Sequence, residues 1–170
     1  MCRKAFETAA SLASRSVFAF DAHRLYHRAH AAGHMAAPCI DARMLRLSTD
    51  SASPADDFIK SEVPYVRLDD VQVATDWLDL VDGTLEAPII VSELGGPPAA
   101  STHVCIPQDA WGAWTSTNEA GLPAMWGTCD NWTSTVGDSS LGRVGDASLA
   151  WSFFCVTPCS SKASLYCVEQ

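Results

Sequence analysis

The chain is predicted to form a single α+β domain with long irregular loops, on three observations. Its 170 residues suit one domain, which at that size buries roughly 70% of its unfolded surface without metals or staples. Short β-branched or alternating runs at 63–74, 88–93 and 165–168 are interleaved with short helix signals. From Trp114 onward, segments of Thr, Ser, Trp and Gly alternate with turn residues and cysteines, the composition of a loop-rich half.

Taken in order, Cys2–Ser16 is Ala-rich with no breaker and is predicted helical. His23, His27, His30 and His34 recur at spacings of four, three and four, which places them on one helical face, with Gly33 weakening the helix near its end. Leu47–Phe58 reads as a polar loop into a short helix capped by Ser53, with Pro54 at the first helical position. Val63–Ala74 alternates around Asp69-Asp70 and predicts a strand pair. Asp76–Gly83 reads as one helical turn ended by glycine, with Asp76, Asp79 and Asp82 on its solvated face. Pro88–Glu93 is a compact β-branched run, most simply a buried strand. Gly95-Gly96-Pro97-Pro98 is a loop, and Val156 and Leu165–Val168 are closing strands. No internal repeat or heptad pattern is present.

Charge divides the chain. Residues 1–48 hold seven Lys/Arg against three Asp/Glu, and residues 49–170 hold four against seventeen, within a net charge of -9. An acidic body repels phosphate backbones, so nucleic-acid binding is not expected. No run approaches the eighteen or so apolar residues of a membrane helix, and no membrane insertion is expected. Seven cysteines predict an even disulfide framework with one thiol left over, hence an oxidising compartment; scattered buried thiols in a cytosolic chain are the alternative. Glu7, Thr8, Ser11, Ser14, Arg15 and Ser16 interrupt any signal-peptide core. The chain is therefore a fragment, has a misassigned start, or stays in the cytosol.

The densest motifs are Trp114-Thr115-Ser116-Thr117-Asn118, Cys129-Asp130-Asn131-Trp132-Thr133-Ser134, Gly142-Arg143-Val144-Gly145, Trp151, Cys159-Ser160 and Leu165-Tyr166-Cys167-Val168-Glu169-Gln170. In this order they resemble the endostatin-like branch of the C-type-lectin fold, and in particular a bacterial secreted family of unknown function with the signatures CxxWTS, GRVG and LYCVEQ. The resemblance implies a single lectin-like domain with nested disulfides, Cys129 to Cys159 and Cys167 to Cys2, or to Cys39 if the first 38 residues are foreign. Cys105 and Cys155 are left over, either paired together or free. It covers about two thirds of the chain, residues 47–170, preceded by an N-terminal segment 1–46 that supplies the first helix or is an insert or misread region. Heparin binding by the basic vertebrate endostatin does not carry over, because Arg143 is nearly alone. Calcium-dependent sugar binding does not either, because the EPN or QPD loop and the WND strand are missing; Pro107-Gln108-Asp109 and Asp130-Asn131-Trp132 carry the letters in other orders.

Chemistry is sparsely signalled. Histidines four apart on a helix can reach one zinc ion from the same side, so His23, His27, His30 and His34 are the metal candidates, against the ordinary reading of a solvated segment with no bound cofactor. His103, with Ser101, Thr102 and Cys105 nearby, forms no nucleophile motif, and no phosphate-cradling glycine loop occurs. An enzyme is not expected. Trp114, Trp132 and Trp151 read as core, whereas Trp111 and Trp126 are the candidate binding surface. The Asn131-Trp132-Thr133 sequon would carry a glycan only in a eukaryotic secretory pathway. The expectation is a secreted or cell-surface interaction module that binds a protein or a glycan without calcium, with a metal-binding protein built on the histidine row as the alternative.

Overall fold

The computed structural model describes residues 15–20, 43–45, 48–92, 94–98, 100–102 and 111–169. Among them, eight strands form one mixed sheet: β1 (Arg15–Phe20), β2 (Arg43–Leu45), β3 (Tyr65–Arg67), β4 (Gln72–Ala74), β5 (Trp111–Trp114), β6 (Asp138–Val144), β7 (Cys155–Pro158) and β8 (Ser164–Glu169). The order is β4-β3-β1-β8-β5-β6-β7, with β2 also on β8. Two short helices, α1 (Pro54–Asp57) and α2 (Trp77–Leu80), and a 3-10 turn over Leu149–Trp151 complete it. The class is α+β, mostly sheet. None of the described helices is long and apolar enough to cross a membrane.

β8 is the centre of the sheet. Val17 to Phe20 of β1 pair antiparallel with Val168 to Leu165 along one edge. The other edge is shared, with β5 parallel at Ser164 and Leu165 and β2 antiparallel at Cys167 to Glu169. Alternate side chains of a strand point to opposite faces, and here both faces are covered. Tyr166 and Val168 join one core cluster with Val17, Tyr65, Trp77, Leu80 and Trp151. Leu165 and Cys167 join a second with Trp114 and Leu141. Burial on both faces explains why Leu165–Val168 is a continuous apolar run rather than an alternating one. Trp151 and Tyr166, both 1% exposed, meet with ring centroids 5.7 Å apart, a contact worth about 0.5–1.5 kcal/mol beyond its buried area.

Several expectations change. Arg15 and Ser16 open β1 rather than ending a helix; residues 2–14 lie outside the described residues. β1 is sandwiched between β3 and β8, so the sheet takes in two strands upstream of residue 47. Propensity yields here because Arg15–Val17 pair with β3 on one edge and Val17–Phe20 with β8 on the other, and such pairing outweighs local helical preference. Residues 88–92 form no strand apart from a single bridge position at Ser92. Ile89 and Val91 are buried, but Pro88 has no N–H for a ladder and its carbonyl accepts from Arg67 Nη1 at 2.9 Å. Arg67 also grips Asp69 through Nε at 2.8 Å and Nη2 at 2.6 Å, which satisfies its buried guanidinium.

The remaining short elements form where the sequence places them, with two differences in how side chains are used. β3 and β4 pair antiparallel around Asp69-Asp70, with Asp70 at φ +63°, a left-handed position that Asp tolerates. Ser53 is the N-cap of α1 with Pro54 behind it, yet its hydroxyl donates to the Asp56 carboxylate at 2.6 Å instead of capping the backbone. Asp76 caps α2 by accepting from Asp79 N–H at 3.0 Å. Asp79 accepts from Thr75, and Asp82 from Thr84, so the three aspartates are turn acceptors more than a bare solvated face.

Candidate binding groove on the loop face

The motif around Trp114 builds the floor of the loop half. Thr115 Oγ1 donates to the Ser152 carbonyl at 2.8 Å, Ser116 Oγ to the Gly127 carbonyl at 2.8 Å and Thr117 Oγ1 to the Thr115 carbonyl at 2.7 Å. Ser152 Oγ donates in turn to the Asn118 carbonyl at 2.8 Å. All four side chains belong to buried residues. Their small hydroxyls satisfy loop carbonyls that no sheet ladder reaches, and a buried carbonyl left unpaired is costly.

Above this floor, Cys129–Trp132 winds left-handed, with φ of +53°, +54°, +53° and +66°. Left-handed backbone costs roughly 1–2 kcal/mol per residue, least for Asn and Asp, so the turn must be held from outside. The Cys129–Cys159 disulfide anchors its start, with Cα atoms 5.7 Å apart. Asn131 is locked to Asp50 twice, accepting from its N–H at 2.9 Å and donating to its carboxylate at 3.1 Å. Thr128 Oγ1 donates to Asp50 at 2.7 Å and accepts from Asn131 N–H at 3.1 Å. Trp132 packs edge-on against Trp114 at 5.7 Å.

The held turn forms one wall of an open groove of about 410 Å³. Its lining is Met125 to Asp130, Val136 to Asp138 and Val156. The two segments are joined by the Thr128 to Ser139 bridge, and Cys159, the disulfide partner of Cys129, donates its N–H to the Gly137 carbonyl at 2.9 Å. Gly127 permits the approach, since a Cβ there would sit 2.9 Å from the Asp138 carbonyl oxygen. Met125 is 96% exposed, Trp126 50% and Val136 81%, an apolar rim of the kind that marks contact surfaces.

The sequence candidates fare unequally. Trp126 stands in the groove. Trp111 does not: it is half-buried in β5 and packs on the main core cluster, because β5 pairs with β6 along its whole length. Trp114 and Trp151 are buried and Trp132 is half-buried against the second cluster. Cys129 and Cys159 are joined, and Cys155 is also disulfide-bonded, which removes the reading of it as a thiol. Cys167 is buried on β8; Cys2, Cys39 and Cys105 lie outside the described residues, as do His23, His27, His30, His34 and His103. Among the described residues no three of His, Cys, Asp and Glu are grouped to hold a metal. Sequence reasoning missed Met125, Val136, Asp130 and Asp138 as groove residues. An apolar pair between Pro123 and Gly127 was the available signal for the first of them. No protein-family model matches the chain, and no curated protein matches it at a significant level.

Proposed function

We propose that this protein is an extracellular or cell-surface interaction module that binds a protein or a glycan through the loop face, without calcium and without catalysis, on a lectin-like scaffold of the endostatin type. The observation that carries the reading is the exposed Met125-Trp126 pair on a rigidly locked wall. An indole is a large apolar contact surface with few torsions to freeze, which is why Trp dominates binding hot spots. A wall pinned by the disulfide and by Asp50 adds little ordering cost on binding. The Cys129–Cys159 link and the disulfide at Cys155 support an oxidising compartment, and the first is the pairing that the endostatin-like resemblance implies.

Two measurements test this. Wild-type protein and Trp126→Ala are compared on a glycan array and against a displayed peptide library, with unchanged melting temperature as the folding control. Ligands selected by the wild type are expected to bind the variant at least about tenfold more weakly, a loss of about 1.4 kcal/mol; equal binding overturns the assignment of the site. Non-reducing peptide mapping of the protein from its natural source should yield a Cys129–Cys159 linked peptide, whereas seven free thiols would overturn the compartment.

A further inference from the structure

We propose that the Trp126 groove recognises a basic segment of a protein partner, seating a Lys or Arg side chain between the indole and the carboxylates of Asp130 and Asp138. This rests on the loop face being a binding surface and narrows what it binds.

The argument is one of charge complementarity on an apolar floor. The groove lining contains two carboxylates and no Lys, Arg or His. Both carboxylates are exposed. The ion pairs among the described residues are Arg67 with Asp69 and Arg143 with Asp146, so no described cation neutralises Asp130 or Asp138. Asp130 accepts one long hydrogen bond, from Thr133 Oγ1 at 3.3 Å.

The same groove is lined by Trp126, Met125, Val136 and Val156. A Lys or Arg side chain matches that pattern in both its parts. Its aliphatic stem covers apolar surface while its head stays polar, and a cation is attracted by the face of an indole. The surrounding field has the same sense, because residues 49–170 hold four Lys/Arg against seventeen Asp/Glu and steer cations inward.

A neutral glycan fits less well. Its hydroxyls need donors and acceptors together, but the side-chain polar groups of this groove are the two carboxylates and Thr128, whose hydroxyl already donates to Asp50 and accepts from Asn131 N–H. An anionic ligand would meet repulsion from both carboxylates.

The test is calorimetric titration of the full chain with three probes at low and high salt: acetyl-Leu-Lys-Leu-Lys-Leu-amide, the same peptide with Glu for Lys, and chitohexaose. Four proteins are compared: wild type, Trp126→Ala, Asp130→Asn/Asp138→Asn, and Asp57→Asn/Glu62→Gln. The last removes the same charge from exposed positions outside the groove. Melting temperatures check that every variant is folded.

The lysine peptide is expected to bind the wild type and to weaken with salt, and the glutamate peptide not to bind. Its Kd should rise at least about tenfold in the first two variants and little in the third. A loss as large in the third variant would mean unspecific attraction and overturn the proposal, as would a Kd indifferent to Trp126→Ala. Binding of chitohexaose alone, lost in Trp126→Ala and insensitive to salt, would overturn the cationic ligand while leaving the loop face a binding surface. Absence of binding by the lysine peptide overturns the proposal in any case.

Discussion

The indole Nε1 of Trp132 donates to the carbonyl oxygen of Ser48 at 2.9 Å, across 84 residues of chain. Ser48 is fully buried; its N–H donates to the Thr115 carbonyl at 3.0 Å and its hydroxyl meets Thr117 Oγ1 at 2.9 Å. One indole thus ties the left-handed turn to the segment that carries Asp50. Trp132→Phe keeps a ring against Trp114 but leaves the Ser48 carbonyl without this donor. The expected loss is about 1–3 kcal/mol, read from the midpoint of urea unfolding. An unchanged midpoint would show that the bond contributes nothing.

Gly142 has no room for a side chain. A Cβ there would lie 2.8 Å from the Trp151 carbonyl carbon and would overlap its oxygen. Because that obstacle is backbone, it cannot rotate away. Gly142→Ala is expected to lower stability by more than about 3 kcal/mol, in the range of the most damaging single substitutions, or to prevent soluble expression. By contrast, Gly96→Ala meets no atom within 4 Å and should melt like the wild type, which makes it the matched control in thermal unfolding.

Removing the Cys129–Cys159 bridge should destabilise the loop half. The cysteines are 30 residues apart, and the chain-entropy account of a loop that long gives about 3–4 kcal/mol. The double substitution Cys129→Ala/Cys159→Ala is therefore expected to lower the unfolding midpoint strongly. Since Cys129 also begins the left-handed turn, its loss should expose the 125–130 wall to protease before the sheet opens; limited proteolysis with peptide mapping reads that order.

Acid should weaken the fold through two aspartates. Hydrogen bonds from the Arg67 side chain hold Asp69 below the usual carboxylate range, and hydrogen bonds from the Ser148 side chain and backbone do the same for Asp146, with a smaller contribution from Arg143. A carboxylate depressed in the folded state contributes stability above its unfolded pKa, near 3.9, and loses it as pH falls through the folded value. The loss therefore begins below about pH 4 and is absent near neutrality. Asp69→Asn and Asp146→Asn should each flatten the acid limb of a stability profile. A limb as steep as the wild type's in both would assign acid sensitivity to other groups.

Legibility in the sequence tracked the range of the forces involved. The Asp69-Asp70 turn, the helix start at Pro54 and the glycine at Gly83, whose φ is +102°, depend on neighbours a few residues away, and each forms where the sequence places it. The run 88–93 misled because a β-branched composition says that side chains seek burial, not that a ladder partner exists. Trp111 misled for the converse reason: its flanking residues resemble a loop, yet β6 lies alongside it. Trp126 is half-exposed in the groove, and the two carboxylates that line it, Asp130 and Asp138, come from separate segments of the chain. No local pattern announces their meeting.

From its sequence alone, the chain is determined to be an acidic α+β domain whose turns and helix starts sit where short-range sterics and hydrogen bonding demand. Only the tertiary structure decided that residues 15–20 lie beside the last strand, that β8 is buried on both faces, and that Trp126 is left open while Trp114 and Trp151 are covered. The reason is physical. Backbone conformation and capping are settled within a turn or two of chain, whereas burial and strand pairing depend on which distant surface arrives to exclude water, and Val17 and Val168 must meet before either is core.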